Sequence, residues 1–406
     1  MSHGPRIIHL DQLVIRPGSA WARLPLIAGA VGLLGTAASM LLARGSEESA
    51  KQFYHSWLVA VVFFLCIGLG CLFFVLIHHA AKAGWGVVVR RLAENLACAV
   101  PVLAVLFIPI AAFGMHDLFH WTHSEAVAHD RLIQVKAPWL NEGGFWIRAI
   151  VYFAVWTGLA LFFRNSSRRQ DESGDEALSR RMARLSPPCI ALFALTITFA
   201  GFDWLMSLDP HWYSTMFGVY FFAGTIVSAF AALTVLTLAL DFAGYFRGVI
   251  TGEHLHDLGK LLWAFMVFWA YIAFSQFFLI WYANIPEETA WFLHRLEGSW
   301  RPATMMLAIG HFAIPFFFLM PRTIKRNRVL LLVGALWMLA MHFWDVYWLV
   351  MPNLHHDGVS FSLLDVTSIL GVGGLFVAVV TWLLGRGALL PTRDPRLVES
   401  LAFENI

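Results

Sequence analysis

Ten stretches of this chain are too long and too apolar to end in water. They run over about 22–43, 54–78, 93–114, 145–163, 187–207, 213–240, 258–283, 302–320, 329–351 and 362–385. A helix needs roughly 20 consecutive apolar residues to cross the hydrocarbon of a bilayer. In that medium every backbone N–H and C=O must be bonded internally, which leaves helices or a closed barrel. Runs of this length are helical, so the sequence predicts an all-α polytopic membrane protein. A short N-terminal segment (1–21) precedes one ten-helix membrane domain (22–385), and a tail (386–406) follows it. Composition agrees: 59% of the 406 residues are hydrophobic and 13% charged, where soluble domains carry about 25% charge.

Some helix ends are legible. Pro187-Pro188 is expected to open helix 5, Asp209-Pro210 to close its exit turn, and Pro321 and Pro352 to end helices 8 and 9. Cys66, Cys71, Cys98 and Cys189 all lie in apolar stretches without a CxxC pair, so they read as buried free thiols. The N-terminus shows no short apolar stretch followed by a small-residue cleavage site, and no removed leader is expected.

An even number of spans places both termini on one side, and basic residues choose the side. With the N-terminus inside, the inner segments hold 21 Lys and Arg and the outer loops 6, with Arg148 at the outer start of helix 4. The inner set runs from Arg6 through Lys82, Arg90-Arg91, the Arg164–Arg184 loop and Arg322–Arg328 to Arg396. Positive charge sets orientation, so the expected topology is N-in, C-in. The net charge of +2 gives no case for a nucleic-acid partner.

Ionisable residues within spans are costly, by roughly 3 kcal/mol at the centre, and commonly mark a proton, ion or substrate path. Residues 202–217 set Asp203, Asp209 and His211 among Trp and Tyr, the signature of a membrane face. Helix 9 carries His342 and Asp345 on one helical face, helix 10 brings Asp365 and Ser368 in its first turns, and helix 7 offers Tyr271, Ser275 and Gln276. Asp203 and Ser207 also share a face. The functional expectation is one hydrated path through Asp203, His342, Asp345 and Asp365, linked by Ser207, Tyr271 and Ser368. The competing readings are local: a bond locking helix 9 for His342 and Asp345, turn chemistry for Asp209, and a cap on helix 10 for Asp365. On the inner side, His78, His79 and Glu94 are candidates for proton uptake, against interfacial histidines and a surface ion pair of Glu94 with Arg90 and Arg91.

Metal chemistry finds no closed ligand set. His116, Asp117, His120 and His123 crowd one loop without a convincing geometry. His311 and His342 lie at similar depth and could in principle hold a haem, whereas the 13- and 14-residue spacing from His342 to His355 and His356 is broken at Pro352-Asn353. No metal is expected in this chain. A P-loop, a dinucleotide fingerprint and HExxH are all missing from the sequence.

Several segments, taken in order, resemble the ActF family of membrane subunits of bacterial alternative complex III. They are His78-His79 with Gly84-Trp85-Gly86 and Arg90-Arg91; Leu140-Asn141 leading to Arg148 and Tyr152; and Phe202–Phe217. Ser275-Gln276 through Trp281-Tyr282, Asn284–Trp300 and Asp345–Pro352 complete the set. The Asp-Trp-Leu-Met-Ser-Leu-Asp-Pro-His-Trp and Pro-Glu-Glu-Thr segments are the most specific, and the likeness covers about 20–390. It implies an NrfD-like plan of two four-helix bundles, approximately 54–207 and 213–351, with flanking helices. It implies a bacterial cytoplasmic membrane location and an accessory role in a quinol:electron-acceptor oxidoreductase, scaffolding the complex and conducting protons. It places haem c and iron–sulfur clusters on partner subunits, a multihaem cytochrome c and an Fe–S protein, with none on this chain. A sister NrfD-like subunit would hold the main quinol pocket, with quinone or menaquinone near this one and lipids around it. The rival readings are a freestanding secondary transporter or channel, which predicts paired broken helices, and a purely structural anchor. Gly371-Val372-Gly373-Gly374 is the one Gly-rich interruption of a span.

Overall fold

The computed structural model of the protein describes residues 10–405 and is helical, with ten helices long and apolar enough to cross a membrane. Arg6 and Ile406 lie outside the described residues. The ten are α1 (Ala20–Leu42), α2 (Glu47–Ala80), α3 (Val87–Phe113), α4 (Glu142–Ser173), α5 (Glu176–Leu208), α6 (Phe217–Phe242), α7 (Gly252–Ala283), α8 (Trp300–Leu319), α9 (Arg328–Asn353) and α10 (Leu363–Leu384). Their number and order follow the apolar runs. Their lengths do not: α2, α4, α5 and α7 extend past the apolar core by one to three turns of polar residues. Ser46, Asn141, Asp175 and Thr251 cap the first turns of these four helices with side-chain bonds to backbone N–H groups.

Pro187 and Pro188 do not open α5; they lie inside it. The two rings remove two N–H donors, yet three turns of helix precede them, nucleated at Asp175. Ser186 Oγ donates to Met182 O at 2.8 Å within the interrupted turn. Spans tolerate such prolines where side chains and neighbouring helices take over the freed groups.

Packing sorts the spans into two rings. In the first, α2 meets α3, α3 meets α4, α4 meets α5, and α5 returns to α2; in the second, α6 to α9 do the same. The buried α2 also packs on α6, α9 and α10, joining the rings. At the α2–α6 crossing a Cβ on Gly70 would stand 2.4 Å from Thr225 O, so only glycine fits. The Gly-rich run of α10 is no break either, since α10 is continuous, with Gly371 and Gly374 facing α1 and Gly373 facing Phe64 of α2. A Cβ on Gly32 would meet Leu375 N at 2.5 Å, one on Gly35 Gly371 N at 2.6 Å, and one on Gly374 Gly32 N at 2.5 Å. Without a hydrophobic drive between helices in lipid, such backbone-to-backbone contact is what holds them.

Both described ends of the chain gather at one end of the bundle. Leu389 N donates to Leu13 O at 2.8 Å, Ser400 Oγ to Trp85 O at 2.7 Å, and Thr392 N to Asp171 at 2.9 Å. The opposite end is closed by loops. Lys136 Nζ donates to Pro210 O at 2.5 Å, Trp212 Nε1 to Glu288 O at 3.1 Å, and Trp300 Nε1 to His355 O at 2.7 Å.

Candidate functional site

The acids expected to form one path fall into three separate sites, and among the described residues no hydrogen bond joins them. The reason is rotational: each carboxylate faces a different neighbour.

Asp203, fully buried at the far end of α5, is closed by an ion pair. Arg148 engages it with both arms, Nε to Oδ2 at 2.8 Å and Nη2 to Oδ1 at 3.0 Å. Trp139 Nε1 donates to Oδ1 at 2.8 Å and Tyr152 OH to Oδ2 at 2.9 Å. The guanidinium also stacks over Trp139, 4.3 Å from its ring centre. Ser207 reaches only the backbone, donating to Asp203 O at 2.5 Å. A carboxylate with four donors, two of them from one guanidinium fork, is held fast in place. No hydrogen bond among the described residues leads from Asp203 or Ser207 to the other candidate acids. Arg148 and Tyr152, one turn apart on α4, were the sequence signal: an arginine at the edge of a span needs a counter-ion at its own depth.

Asp365 (8% exposed) is the third residue of a capping box at the start of α10, its Oδ2 accepting from Ser362 N at 2.8 Å. Its Oδ1 accepts from Ser56 Oγ at 2.5 Å and Gln52 Nε2 at 3.2 Å, while His355 Nε2 donates to Gln52 Oε1 at 2.7 Å. Burial pulls His355 below its ordinary value, opposed by Asp365. Ser368 bonds Ser39 of α1 at 3.5 Å, away from any acid. These contacts tie α10 to α2 and α1.

The remaining acid stands in a different setting. Asp345 lies at the centre of the second ring, where each of α6, α7, α8 and α9 contributes one wall. Tyr220 OH of α6 donates to Oδ1 and Trp269 Nε1 of α7 donates to Oδ2 at 3.1 Å. His342 of α9 sets Nδ1 3.9 Å from Oδ2, and His311 of α8 stacks on Trp269 at 3.7 Å between ring centres. One nitrogen of each histidine and one oxygen of Asp345 all lie within 4.8 Å of one another, and all three residues are buried. All four ring nitrogens of His311 and His342 lack a hydrogen-bond partner. No arginine or lysine pairs with Asp345 among the described residues. Gly224 makes the space, since a Cβ there would come within 3.0 Å of His342 Cε1.

His311 sits in a π-helical segment, Leu307–Ala313, followed by Pro315. The wide turn rotates His311 relative to the flanking α-helix, the kind of local irregularity that recurs at functional sites. An acid and two histidines from two helices are thus brought together, a grouping the sequence reading did not make.

A cleft of about 510 Å³ adjoins this cluster between α7 and α8. Tyr220, Trp269, Gln276 and Thr304 are polar groups of its lining, and Phe274, Phe277 and Met305 are among its apolar walls. Gln276 is 6% exposed with Oε1 unpartnered. Tyr271 also lines the cleft but is 66% exposed, and its hydroxyl makes no hydrogen bond among the described residues. Trp269, two residues earlier, takes the inward place expected of it. Tyr220 and Trp269 were missed because an aromatic in a span reads as packing, although a buried phenol or indole N–H needs a partner.

At the basic end, Glu94 is no surface ion pair. It is 1% exposed, accepting from Arg91 Nε at 2.9 Å and Arg90 Nε at 3.4 Å. Arg91 continues to Asp171 at 2.7 Å and Arg90 to Asp394 at 2.5 Å, so the network clamps the C-terminal segment onto α3 and α4. His78 is wedged against Phe74 at 4.1 Å and Trp85 at 5.2 Å, and His79 against Phe163 at 5.5 Å. No hydrogen bond among the described residues leads from either to Asp345. In the opposite loops, His211 binds Asp130 at 2.5 Å and its N–H donates to Asp209 at 3.1 Å, a clamp between two loops. His116 and His123 bond Thr122 and a backbone carbonyl within their own exposed loop. No protein-family model and no curated protein matches the chain.

Proposed function

We propose that this chain is an integral membrane subunit of a quinol-oxidising complex of the alternative complex III type, with both termini in the cytoplasm of a bacterium. Within it, the Asp345 cluster takes up and passes protons. The observation that carries this reading is a buried carboxylate with no cation partner, set within 4.8 Å of two imidazoles whose four nitrogens are all unpaired. Two imidazoles with free nitrogens beside a carboxylate that no cation neutralises offer donors and acceptors over which a proton can pass, whereas Asp203 is closed by Arg148. The two closed rings, α2–α5 and α6–α9, fit the two-bundle plan of NrfD-like subunits, and the distribution of Lys and Arg fits the orientation. Electron transfer belongs to partners: a multihaem cytochrome c, an Fe–S protein and a sister subunit that binds quinol. For Asp203 and Asp365 the geometry favours the structural-anchor reading.

Both Asp345 oxygens are already engaged by Tyr220 and Trp269, which suits a proton better than a metal ion in this cluster. Elemental analysis of the purified chain decides between the two. A stoichiometric transition metal, lost in His311→Ala, would replace the proton reading. Complex membership is tested by affinity purification from native membranes: multihaem and Fe–S proteins should co-purify in fixed ratio, and recovery of the chain alone would end this assignment. In that complex, Asp345→Asn should lower quinol-driven proton transfer at least about tenfold with assembly intact; an unchanged proton-to-electron ratio would remove the role given to Asp345.

A further inference from the structure

A second cavity, of about 280 Å³, opens at the basic end between the last turn of α2, the first turns of α5 and the C-terminal segment. Four cations line it against two acids. Arg90 is neutralised within the buried network, at 2.5 Å from Asp394. Arg180 has only a long 3.5 Å contact with Glu176, both largely exposed, which is a weak pair. Lys82 and Arg396 remain. Neither side chain forms an ion pair or hydrogen bond among the described residues. Lys82 is held in a left-handed backbone conformation, φ 52°, at the exit of α2. His79 lines the same cavity, 5% exposed, with Nε2 unpartnered.

We infer that this cavity binds a phosphate group. An ammonium, a guanidinium fork and a buried imidazole lining one cavity suit a tetrahedral oxyanion, and the two positive charges without a partner suit its charge. The phosphate could belong to an anionic phospholipid headgroup or to free phosphate in the aqueous phase. The position at the ends of spans, in a basic pocket between helices, favours the headgroup. The occupant would bridge α2, α5 and the segment at Asp394–Arg396, adding a bond to the clamp on the C-terminal tail. The site shares no residue with the Asp345 cluster and stands whether or not the functional proposal holds.

The test uses the full chain, delipidated in a neutral detergent, with thermal unfolding as the readout. Phosphatidylglycerol should raise the midpoint by about 3–5 °C, and phosphatidylcholine should not. The double variant Lys82→Gln/Arg396→Gln should lose at least half of that shift. A charge-matched control, Arg169→Gln/Arg184→Gln, removes two exposed cations of the same end that lie outside the cavity and should keep it. Inorganic phosphate against chloride at equal ionic strength forms the second arm. A cavity-dependent shift with phosphate alone supports the site and names the soluble source. No shift in either arm, or a shift that the cavity variant retains, overturns the inference.

Discussion

Asp203→Asn is the substitution whose cost can be worked out atom by atom. Asn has the same shape and keeps one oxygen. Set in the place of Oδ1, that oxygen still accepts from Trp139 Nε1 and Arg148 Nη2. The new amide then faces Arg148 Nε, 2.8 Å away, donor against donor, while Tyr152 can turn its hydroxyl to accept. Arg148, its side chain 16% exposed, loses its counter-charge where water can reach it only partly. Breaking a buried pair by removing one partner costs about 3–5 kcal/mol; the residual hydration of Arg148 puts Asp203→Asn near the low end. Arg148→Met should cost more, since it strands a carboxylate with no exposure at all. The double variant Arg148→Met/Asp203→Asn leaves no unpaired charge, its amide still bonding Trp139 and Tyr152, and should recover part of the loss, giving a coupling of about 2 kcal/mol or more. Equilibrium unfolding in mixed detergent micelles, followed by tryptophan fluorescence, measures each corner of the cycle. Turnover per folded molecule should be unchanged in Asp203→Asn. Stability within about 0.5 kcal/mol of the parent, or purely additive effects across the cycle, would refute the closed ion pair; lowered turnover in fully folded protein would return Asp203 to the proton path.

Three further outcomes follow from the packing and the loops. Reporters after Ile406 and near Gly174 should read cytoplasmic and one near Asn353 periplasmic; an outside reading at Gly174 would reverse the assigned orientation. Gly32→Leu or Gly374→Leu should separate α1 from α10, because the added Cβ alone would stand 2.5 Å from backbone nitrogen; cross-linking between cysteines placed on the two helices should fall, and unchanged yield would contradict the close crossing. The His211–Asp130 clamp is pH-dependent with a defined sign: the hydrogen bond from His211 holds Asp130 below its ordinary 3.8, so its contribution is present above that value and is lost as pH falls through the lower folded value. Cleavage of the 115–141 loop by an acid-active protease should rise in that window and should be already high at neutral pH in Asp130→Asn; a flat profile would show that the clamp does not hold the loop.

The sequence by itself determined that the chain carries ten helices long and apolar enough to cross a membrane, and where along each of them its acids sit. Those follow from run length and from the cost of charge in hydrocarbon, which are properties of a single helix. It did not determine which way each helix turns about its axis. In water a buried face is apolar and an exposed one polar, so periodicity reveals the rotation; in a bilayer both faces are apolar, and that record is missing. Only the tertiary structure could therefore separate Asp203, closed by Arg148 and Tyr152, from Asp365, closed by Ser56 and Gln52, and from Asp345, left among Tyr220, Trp269 and two unpaired histidines. The same blindness hid the match between Gly32 and Gly35 of α1 and Gly371 and Gly374 of α10. Which groups meet depends on helix rotation and neighbour choice, and these are fixed by steric fit and bonds between spans, not by the composition of any one of them.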